Sequence, residues 1–228
     1  MKPPPRQIIF VTGTDTGAGK TLLTALLLYQ LRANGCHALA MKPFCSGGQA
    51  DVRLLQSLQR GELTDEEVNP FYFPEPIAPL VSLQKSGRKI GLREVIQRIR
   101  NVARRCDTLI VEGSGGLLVP LAENVTVLNL VAKLKPKVIV AGRNRLGIIN
   151  HTLLTVNALK DNSLRDVSVV LMDTVDLDAS AATNQKVLTE ILDLPVWRIS
   201  FLGNKIGHIL KIKDRHKKIK KILAQILG

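Results

Sequence analysis

The chain has 228 residues, of which 45% are hydrophobic and 22% charged, and its formal net charge is +13 at pH 7. This length and composition favour one globular domain over residues 1–228 and are not typical of a disordered chain or a fibre. The start "MKPPPRQIIF" lacks the apolar segment of a signal peptide, and apolar runs such as "LLTALLL" are shorter than the roughly 18 residues of a membrane span.

The predicted elements alternate between strands and helices from the N-terminus. "RQIIFVTG" predicts a buried strand that enters a glycine-rich loop, and "KTLLTALLLYQLRANG" predicts a helix that ends at Gly35. "HALAMKP" predicts a second strand, and "ADVRLLQSLQRG" a second helix. The Pro-rich "VNPFYFPEPIAPLV" predicts a loop or an edge strand, because proline cannot donate a ladder hydrogen bond. A helix is then predicted over "LREVIQRIRNVARRC".

The C-terminal half continues the alternation. "DTLIVEG", "PKVIVAG" and "VSVVLMD" are short, continuously apolar runs of the kind found in strands that are covered on both faces. Between or after them, "NVTVLNLVAKL", "IINHTLLTVNALKD" and "ASAATNQKVLTEILD" predict helices. The order predicts an α/β fold with a doubly wound, mostly parallel sheet, helices on both faces and sites at the carboxyl ends of the strands.

Residues 11–21, "VTGTDTGAGKT", nearly match the phosphate-binding consensus G-x-x-x-x-G-K-[ST], but Thr14 stands where the first glycine is expected. Because a strand precedes this loop and a helix follows it, its backbone N–H groups are predicted to surround a phosphate chain. Lys20 is predicted to reach the β and γ phosphates of ATP, and the Thr21 hydroxyl to bind Mg²⁺. A glycine turn before an ordinary helix is the alternative. The loop residues predicted to bind the nucleotide are Gly13, Thr14, Asp15, Thr16, Gly17, Ala18 and Gly19.

Three further charged residues follow predicted strands or begin a helix. Glu112, in "VEGSGG", is either a Mg²⁺ ligand beside the nucleotide or a cap of the glycine-rich turn. Asp51 is either a metal ligand or a favourable charge at a helix N-terminus. Lys42, before Pro43, lies at the carboxyl end of a predicted strand, where a structural lysine would be solvated. With Thr21, the two acids would form the oxygen-only ligand set that Mg²⁺ prefers.

The segments "GTDTGAGKT", "MKPFCSGG", "DVRLL", "VEGSGGLLVP" and "RLGIINHTLLT" resemble the dethiobiotin synthetase family in order and spacing, over roughly residues 8–203. The resemblance implies a P-loop NTPase fold of Rossmann-like type, in which the longer loop is the family's own variant. It further implies a biotin-pathway ligase that uses ATP and CO₂ to close a cyclic urea on 7,8-diaminononanoate. The reaction runs through a carbamate that is phosphorylated and then attacked by the neighbouring amine.

The resemblance also implies roles for individual residues. Lys42 would face the carbamate and the γ phosphate, and would act in catalysis with Lys20 and Thr16. Asp51 and Glu112 would join Thr21 around Mg²⁺. Substrate would be bound at the interface of a homodimer, with its carboxylate held by residues of the neighbouring subunit. The implied substrate contacts are Thr16, Lys42, Ser46 and Gly115, together with Gly147, Ile148 and Asn150 across the interface. As the alternative for Ser46, hydroxyls in a "CSGG" turn are ordinary turn residues.

The chain departs from the family pattern at several positions. Asn129 stands where an aspartate is common, and "VAGRNRLG" is more basic than usual. Family members commonly carry an asparagine for the nucleotide base where this chain has Met172 and Asp173. These two residues are therefore the predicted base contacts, and they predict weak selection of ATP over other nucleoside triphosphates.

The C-terminal tail lies outside the resemblance and carries much of the charge. Between Lys205 and Lys221 there are eight Lys or Arg residues and one Asp, a net +7. The spacing of its apolar residues predicts an amphipathic helix over about 212–227. This helix either docks on the body or contacts an anionic membrane or nucleic acid, and no membrane or nucleic-acid partner is expected. The residues of its predicted apolar face are Ile212, His216, Ile219, Leu223 and Ile226.

Two rival functions share a similar loop. A nucleotide-switched partition or positioning ATPase would bind a surface through the basic tail, but its signature lysine would stand where this chain has Asp15. Cobyrinate amidase-type synthetases need a further glutaminase domain, for which 228 residues are too few. Cys36, Cys45 and Cys106 show no C-x-x-C spacing, which argues against a zinc site and favours a cytoplasmic protein.

Overall fold

A computed structural model describes residues 7–203 and 217–228 of the chain. The strands of the described chain are β1 Gln7–Gly13, β2 Ala38–Met41, β3 Phe44–Ser46, β4 Phe71–Phe73, β5 Thr108–Gly116, β6 Pro120–Ala122, β7 Val125–Thr126, β8 Lys137–Arg143, β9 Val167–Met172 and β10 Val196–Ile199. The helices are α1 Lys20–Ala33, α2 Ala50–Leu58, α3 Asp65–Val68, α4 Pro79–Ser86, α5 Leu92–Ala103, α6 Val127–Leu134, α7 Ile148–Asp161, α8 Asn184–Ile191 and α9 Lys217–Leu227. A single 3₁₀ turn, Ala179–Ala182, precedes α8 in the described chain.

The main sheet has the strand order β10-β9-β8-β1-β5-β2, and every neighbouring pair in it is parallel. Its inner strands are buried along their length, as Val138–Ala141 of β8 illustrate, because helices such as α1, α5 and α7 pack on the sheet. Two small two-stranded sheets, β3-β4 and β6-β7, lie outside it. The prediction of a doubly wound, parallel α/β fold is confirmed.

Several short elements differ from the sequence prediction. The edge strand expected in the Pro-rich segment is β4, whose Phe71 and Phe73 are buried while Tyr72 is exposed. That segment also contains the start of α4, which was not predicted from the sequence. The helix can begin at Pro79 because the N–H groups of the first helical turn have no partner within the helix, so the N–H that proline lacks is not needed there. The edge strand β10 was not predicted, and neither was α3, which is only four residues long.

The departure at Asn129 has a structural role. "NVTVLNLVAKL" was predicted to be helical throughout, but Val125 and Thr126 form β7 and the helix α6 begins at Val127. The Thr126 hydroxyl accepts a hydrogen bond from the Asn129 N–H at 3.3 Å, and the Asn129 Oδ1 atom accepts one from the Thr126 N–H at 2.7 Å. Asn129 therefore completes a reciprocal capping box at the start of α6.

The C-terminal helix α9 docks on the body. Ile219, Leu223 and Ile226 are buried, and the helix packs against α1 and β10. The Lys137 ammonium donates a hydrogen bond to the Leu227 carbonyl at 3.2 Å. The docking interpretation is thus confirmed for 217–227, whereas 212–216, with Ile212 and His216, lies outside the described residues. Among the residues that are described, no helix is both long and apolar enough to span a bilayer.

We expect Leu223→Ala to lower the free energy of unfolding by about 2–5 kcal/mol, because Leu223 is 3% exposed and its loss leaves a cavity under α9. The matched control is Lys221→Ala on the exposed face of the same helix, which should change stability by no more than about 0.5 kcal/mol. Urea unfolding of both variants measures the difference. Equal stability of the two variants would contradict the docking of α9.

Candidate active site

The glycine-rich loop connects the end of β1 to the start of α1. Gly17 and Gly19 have φ of +74° and +88°, which glycine adopts at little cost. A Cβ atom at Gly13 would lie 2.9 Å from the Asp15 carbonyl oxygen and 3.0 Å from the Lys20 Nζ atom. Lys20 folds back over this glycine, and its ammonium donates a hydrogen bond to the Asp15 carbonyl at 2.9 Å. The loop is therefore shaped around the lysine that was predicted to bind phosphates.

A cluster of charged side chains lies beside the loop, at the carboxyl ends of β2 and within β5. The Glu112 Oε1 atom accepts hydrogen bonds from the Lys42 ammonium at 2.8 Å and from the Thr21 hydroxyl at 2.7 Å. The Lys42 ammonium also forms an ion pair with the Asp51 carboxylate. The structure thus brings together four of the residues that were predicted from the sequence to act in metal binding and phosphoryl transfer.

The two lysines of the site have opposite pKa shifts. Burial lowers the pKa of Lys20 from 10.5 to about 8, although the attraction of Glu112 opposes this. Burial also disfavours the charged form of Lys42, but Glu112 and Asp51 outweigh it and raise the pKa of Lys42 above its ordinary value. Lys42 is therefore a permanent cation at neutral pH.

The oxygens of the cluster fit a Mg²⁺ ion that arrives with phosphates. Thr21, Asp51 and Glu112 offer only oxygen donors, and Mg²⁺ is usually held by one or two carboxylates with phosphate and water oxygens. The second carboxylate oxygen of Glu112, Oε2, is buried and has no hydrogen-bond partner within the described residues. A buried acceptor without a partner is costly, and a cation would satisfy it.

A cleft of about 600 Å³ opens over this cluster. Its opposite wall, 76–79, leads into α4 and was not assigned to the site from the sequence. The only sequence signal for this wall was the proline-rich composition of the connection. The Ser46 hydroxyl is buried and has no hydrogen-bond partner among the residues that the structure describes. The residues of the predicted site that line the cleft are Thr16, Gly17, Gly19, Lys20, Thr21, Lys42, Ser46, Asp51, Glu112 and Gly115.

Three predicted substrate contacts lie at the start of α7 and, in the described structure, do not line this cleft. Gly147 caps the helix with φ +90°, Asn150 is exposed, and Ile148 lines a small space next to the loop 14–18. An apolar groove of about 470 Å³ lies between this helix and the segment after β5. Its rim includes Leu118 and Leu154, whose exposed fractions are 65% and 63%.

The predicted base contacts are buried in the described structure. Met172 is 4% exposed and lies against Gly19, where a Cβ atom would come within 2.9 Å of its Cγ atom. The Asp173 carboxylate accepts hydrogen bonds from the Asn144 amide at 2.7 Å and from the Arg198 guanidinium at 3.0 Å. Sequence reasoning missed both partners of Asp173. Its contact with a base stays a prediction, and its carboxylate already has two donors.

A phosphate-binding loop between β1 and α1, with Lys42 after β2, Asp51 at the start of α2 and Glu112 in β5 beside it, defines an ATP-using P-loop enzyme. The chain matches the AAA domain family over residues 7–197. It is 39% identical over 167 residues to the ATP-dependent dethiobiotin synthetase BioD of Bacillus licheniformis, covering 71% of each chain. It is 31% identical over 215 residues to that of Bacillus velezensis, covering 91% of this chain and 90% of the relative. The chain belongs to the ATP-dependent dethiobiotin synthetase family, whose members are ligases.

Two solved structures with a similar fold are of partition-type proteins. A putative plasmid partition protein from Borrelia burgdorferi, bound to AMPPNP, has a TM-score of 0.62 at 13% identity, covering 98% of both chains. A ParA family ATPase from Chlorobium tepidum has a TM-score of 0.56 at 16% identity, with the same coverage. At these identities the likeness shows the fold alone.

The lowered pKa of Lys20 predicts a pH-dependent gain in stability when the charge is removed from the nucleotide-free protein. Below pH 8, folded and unfolded Lys20 are both protonated, so wild type carries the full penalty of the buried charge. Lys20→Met should then be more stable by up to about 3 kcal/mol. As pH rises from 8 to 10.5, folded Lys20 loses its proton first, so the advantage should disappear.

Chemical unfolding of wild type and Lys20→Met at pH 7 and at pH 10 measures this effect. Lys220→Met, at an exposed position on α9, is the control and should show no such pH dependence. If the difference in unfolding free energy between wild type and Lys20→Met is the same at both pH values, the pKa of Lys20 is not lowered by burial.

Proposed function

We propose that this protein is an ATP- and Mg²⁺-dependent dethiobiotin synthetase of the cytoplasm. It carboxylates 7,8-diaminononanoate with CO₂, phosphorylates the carbamate and closes the cyclic urea, releasing ADP and phosphate. The observation that carries the proposal is the convergence of Thr21, Lys42 and Glu112 beside a phosphate-binding loop in a chain of this family.

The loop positions the triphosphate. Its backbone N–H groups and the N-terminus of α1 face the phosphate chain, and Lys20 exchanges the Asp15 carbonyl for phosphate oxygens. Thr21, Asp51 and Glu112 would hold Mg²⁺, with no further protein ligand required. When bound, Mg²⁺ would neutralise part of the negative charge on the phosphate oxygens.

The remaining residues act on the carbamate. Its oxygen attacks the γ phosphorus in line with the departing ADP oxygen, and Lys42 neutralises charge on the transferring oxygens. Thr16 and Ser46 hold the amine end, and Ser46 has a buried hydroxyl available for this contact. The second amine then attacks the carbon of the mixed anhydride, phosphate leaves, and the amine proton passes to solvent or phosphate. Because the amines are already nucleophilic, positioning is the main task.

The substrate's carboxylate is held by a second copy of the chain in a homodimer. Gly147, Ile148 and Asn150 supply this contact, which is consistent with their place at the start of α7 outside the cleft of their own chain. The exposed Leu118 and Leu154 beside an apolar groove favour burial of this surface against another subunit.

Steady-state turnover with 7,8-diaminononanoate, bicarbonate and ATP tests the proposed function, and Lys42→Ala tests its central residue. We expect wild type to form dethiobiotin and phosphate, and the variant to lose about 10²–10³ in rate while its fold and nucleotide binding survive. Lys220→Ala, at an exposed position on α9, is the control. A rate of ATP hydrolysis that is the same with and without 7,8-diaminononanoate would favour the partition-type alternative. A loss smaller than tenfold in Lys42→Ala would remove it from the mechanism.

The dimeric site predicts complementation between two inactive variants. Lys20→Ala removes a phosphate contact from the cleft of its own subunit. Asn150→Ala removes a substrate contact from the cleft of the neighbouring subunit. Mixing the two proteins should regenerate part of the wild-type turnover once subunits exchange, because one kind of cleft in the mixed dimer is intact. A fully active monomer by sedimentation would rule out the shared site.

The Asp173 carboxylate already accepts hydrogen bonds from two side chains, and this predicts weak selection of ATP over other nucleoside triphosphates. A neutral hydrogen bond contributes only about 0.5–1.5 kcal/mol, and the Asp173 acceptor is already engaged by Asn144 and Arg198. We expect kcat/KM for ATP to exceed that for CTP and for GTP by less than about 100-fold. A larger preference over both would mean that other groups read the adenine edge.

A further inference from the structure

The Lys42 ammonium forms ion pairs with the same two carboxylates, those of Asp51 and Glu112, that are assigned to the metal. It donates to the Glu112 Oε1 atom at 2.8 Å and pairs with the Asp51 carboxylate. The side chain of Lys42 is 10% exposed and that of Glu112 is fully buried, so bulk water cannot neutralise either charge in its place. The two buried groups therefore balance each other's charge, although the Glu112 Oε2 atom has no hydrogen-bond partner within the described residues.

We infer that Lys42 is the counter-ion of the metal-binding carboxylates before the nucleotide arrives, so that Mg²⁺ enters only together with a triphosphate that takes over Lys42. The inference rests on the proposed function, because it assumes that Asp51 and Glu112 hold the metal. It adds an order of binding, in which the protein alone has little affinity for the free divalent ion.

The charges at the site favour binding of Mg²⁺ together with the triphosphate over binding of the free ion. A free divalent ion would have to compete with an ammonium that already contacts both acids, and would leave that ammonium buried without a partner. The two acids that contact this ammonium are the only carboxylates that the assigned metal site offers, so the free ion gains no further anionic ligand from that site. A triphosphate brings both oxygen ligands for the metal and a new anionic partner for Lys42.

Lys20 provides a matched comparison in the same cleft. Its ammonium is also buried, but it donates to the Asp15 carbonyl and makes no ion pair with either acid in the described structure. Removal of Lys20 takes one positive charge from the cleft and leaves both carboxylates paired with Lys42. The two lysines therefore separate direct competition for the carboxylates from a general effect of positive charge.

The test is Mn²⁺ binding to the nucleotide-free protein, measured by electron paramagnetic resonance of free Mn²⁺ and by calorimetry. Lys42→Met and Lys42→Gln should bind Mn²⁺ at least about tenfold more tightly than wild type, because the competing charge is gone. Glutamine can still donate to a carboxylate, which favours a folded variant. Lys20→Met should tighten binding by less than about threefold. Circular dichroism and a cooperative melt establish that each variant is folded.

Equal tightening in Lys20→Met and Lys42→Gln, or none in Lys42→Gln, overturns the inference even if wild type has Mg²⁺-dependent turnover. The double variant Lys42→Gln/Glu112→Gln should lose the added affinity. If it keeps that affinity, the metal assignment in the proposed function is wrong instead. If neither Lys42→Met nor Lys42→Gln folds, the affinity of the wild-type protein for Mn²⁺ tests the inference by itself. A dissociation constant for Mn²⁺ below about 100 μM without nucleotide contradicts the inference, and one above that value supports it.

Discussion

The buried carboxylate of Glu112 is the constraint on which the site depends. An ionised acid at 1% exposure is tolerated only with hydrogen-bonding or charged partners. Those partners come from two other segments, the Thr21 hydroxyl at the start of α1 and the Lys42 ammonium after β2. The glycine-rich loop, β2 and β5 are therefore held to one another by polar contacts as well as by hydrophobic packing in the sheet.

The parallel register of the sheet makes this convergence possible. Val11 of β1 pairs with Glu112 of β5, and Met41 of β2 pairs with Val111, so that Lys42 follows at the level of Glu112. Since parallel strands end at the same edge, side chains that are far apart in sequence meet there without any special loop. A shift of one residue in either pairing would turn Glu112 or Lys42 away from the cluster.

The sequence predicted those features of the fold and site that depend on local pattern. A continuous apolar run gave β8 and β9, helical periodicity gave α7 with its observed bounds 148–161, and the spacing of Gly19, Lys20 and Thr21 located the phosphate loop. The features that were missed depend on tertiary contacts. The Asp173–Arg198 pair joins the ends of β9 and β10, and Arg198 carries no local signal of it. Likewise the wall at 76–79 lines the cleft only because the chain returns over β3.

The same scaffold supports partition ATPases and this family, so the difference in chemistry has to lie in a few side chains at the sheet's carboxyl edge. A protein that only hydrolyses nucleotide must position water against the γ phosphate. A ligase must exclude water and hold a second substrate there instead. In this chain the cleft is bounded by Lys42, by Ser46 at the end of β3 and by the segment leading into α4. These residues belong to the connection between β2 and α5, so the second crossover of the sheet supplies part of the cleft wall beside the glycine-rich loop.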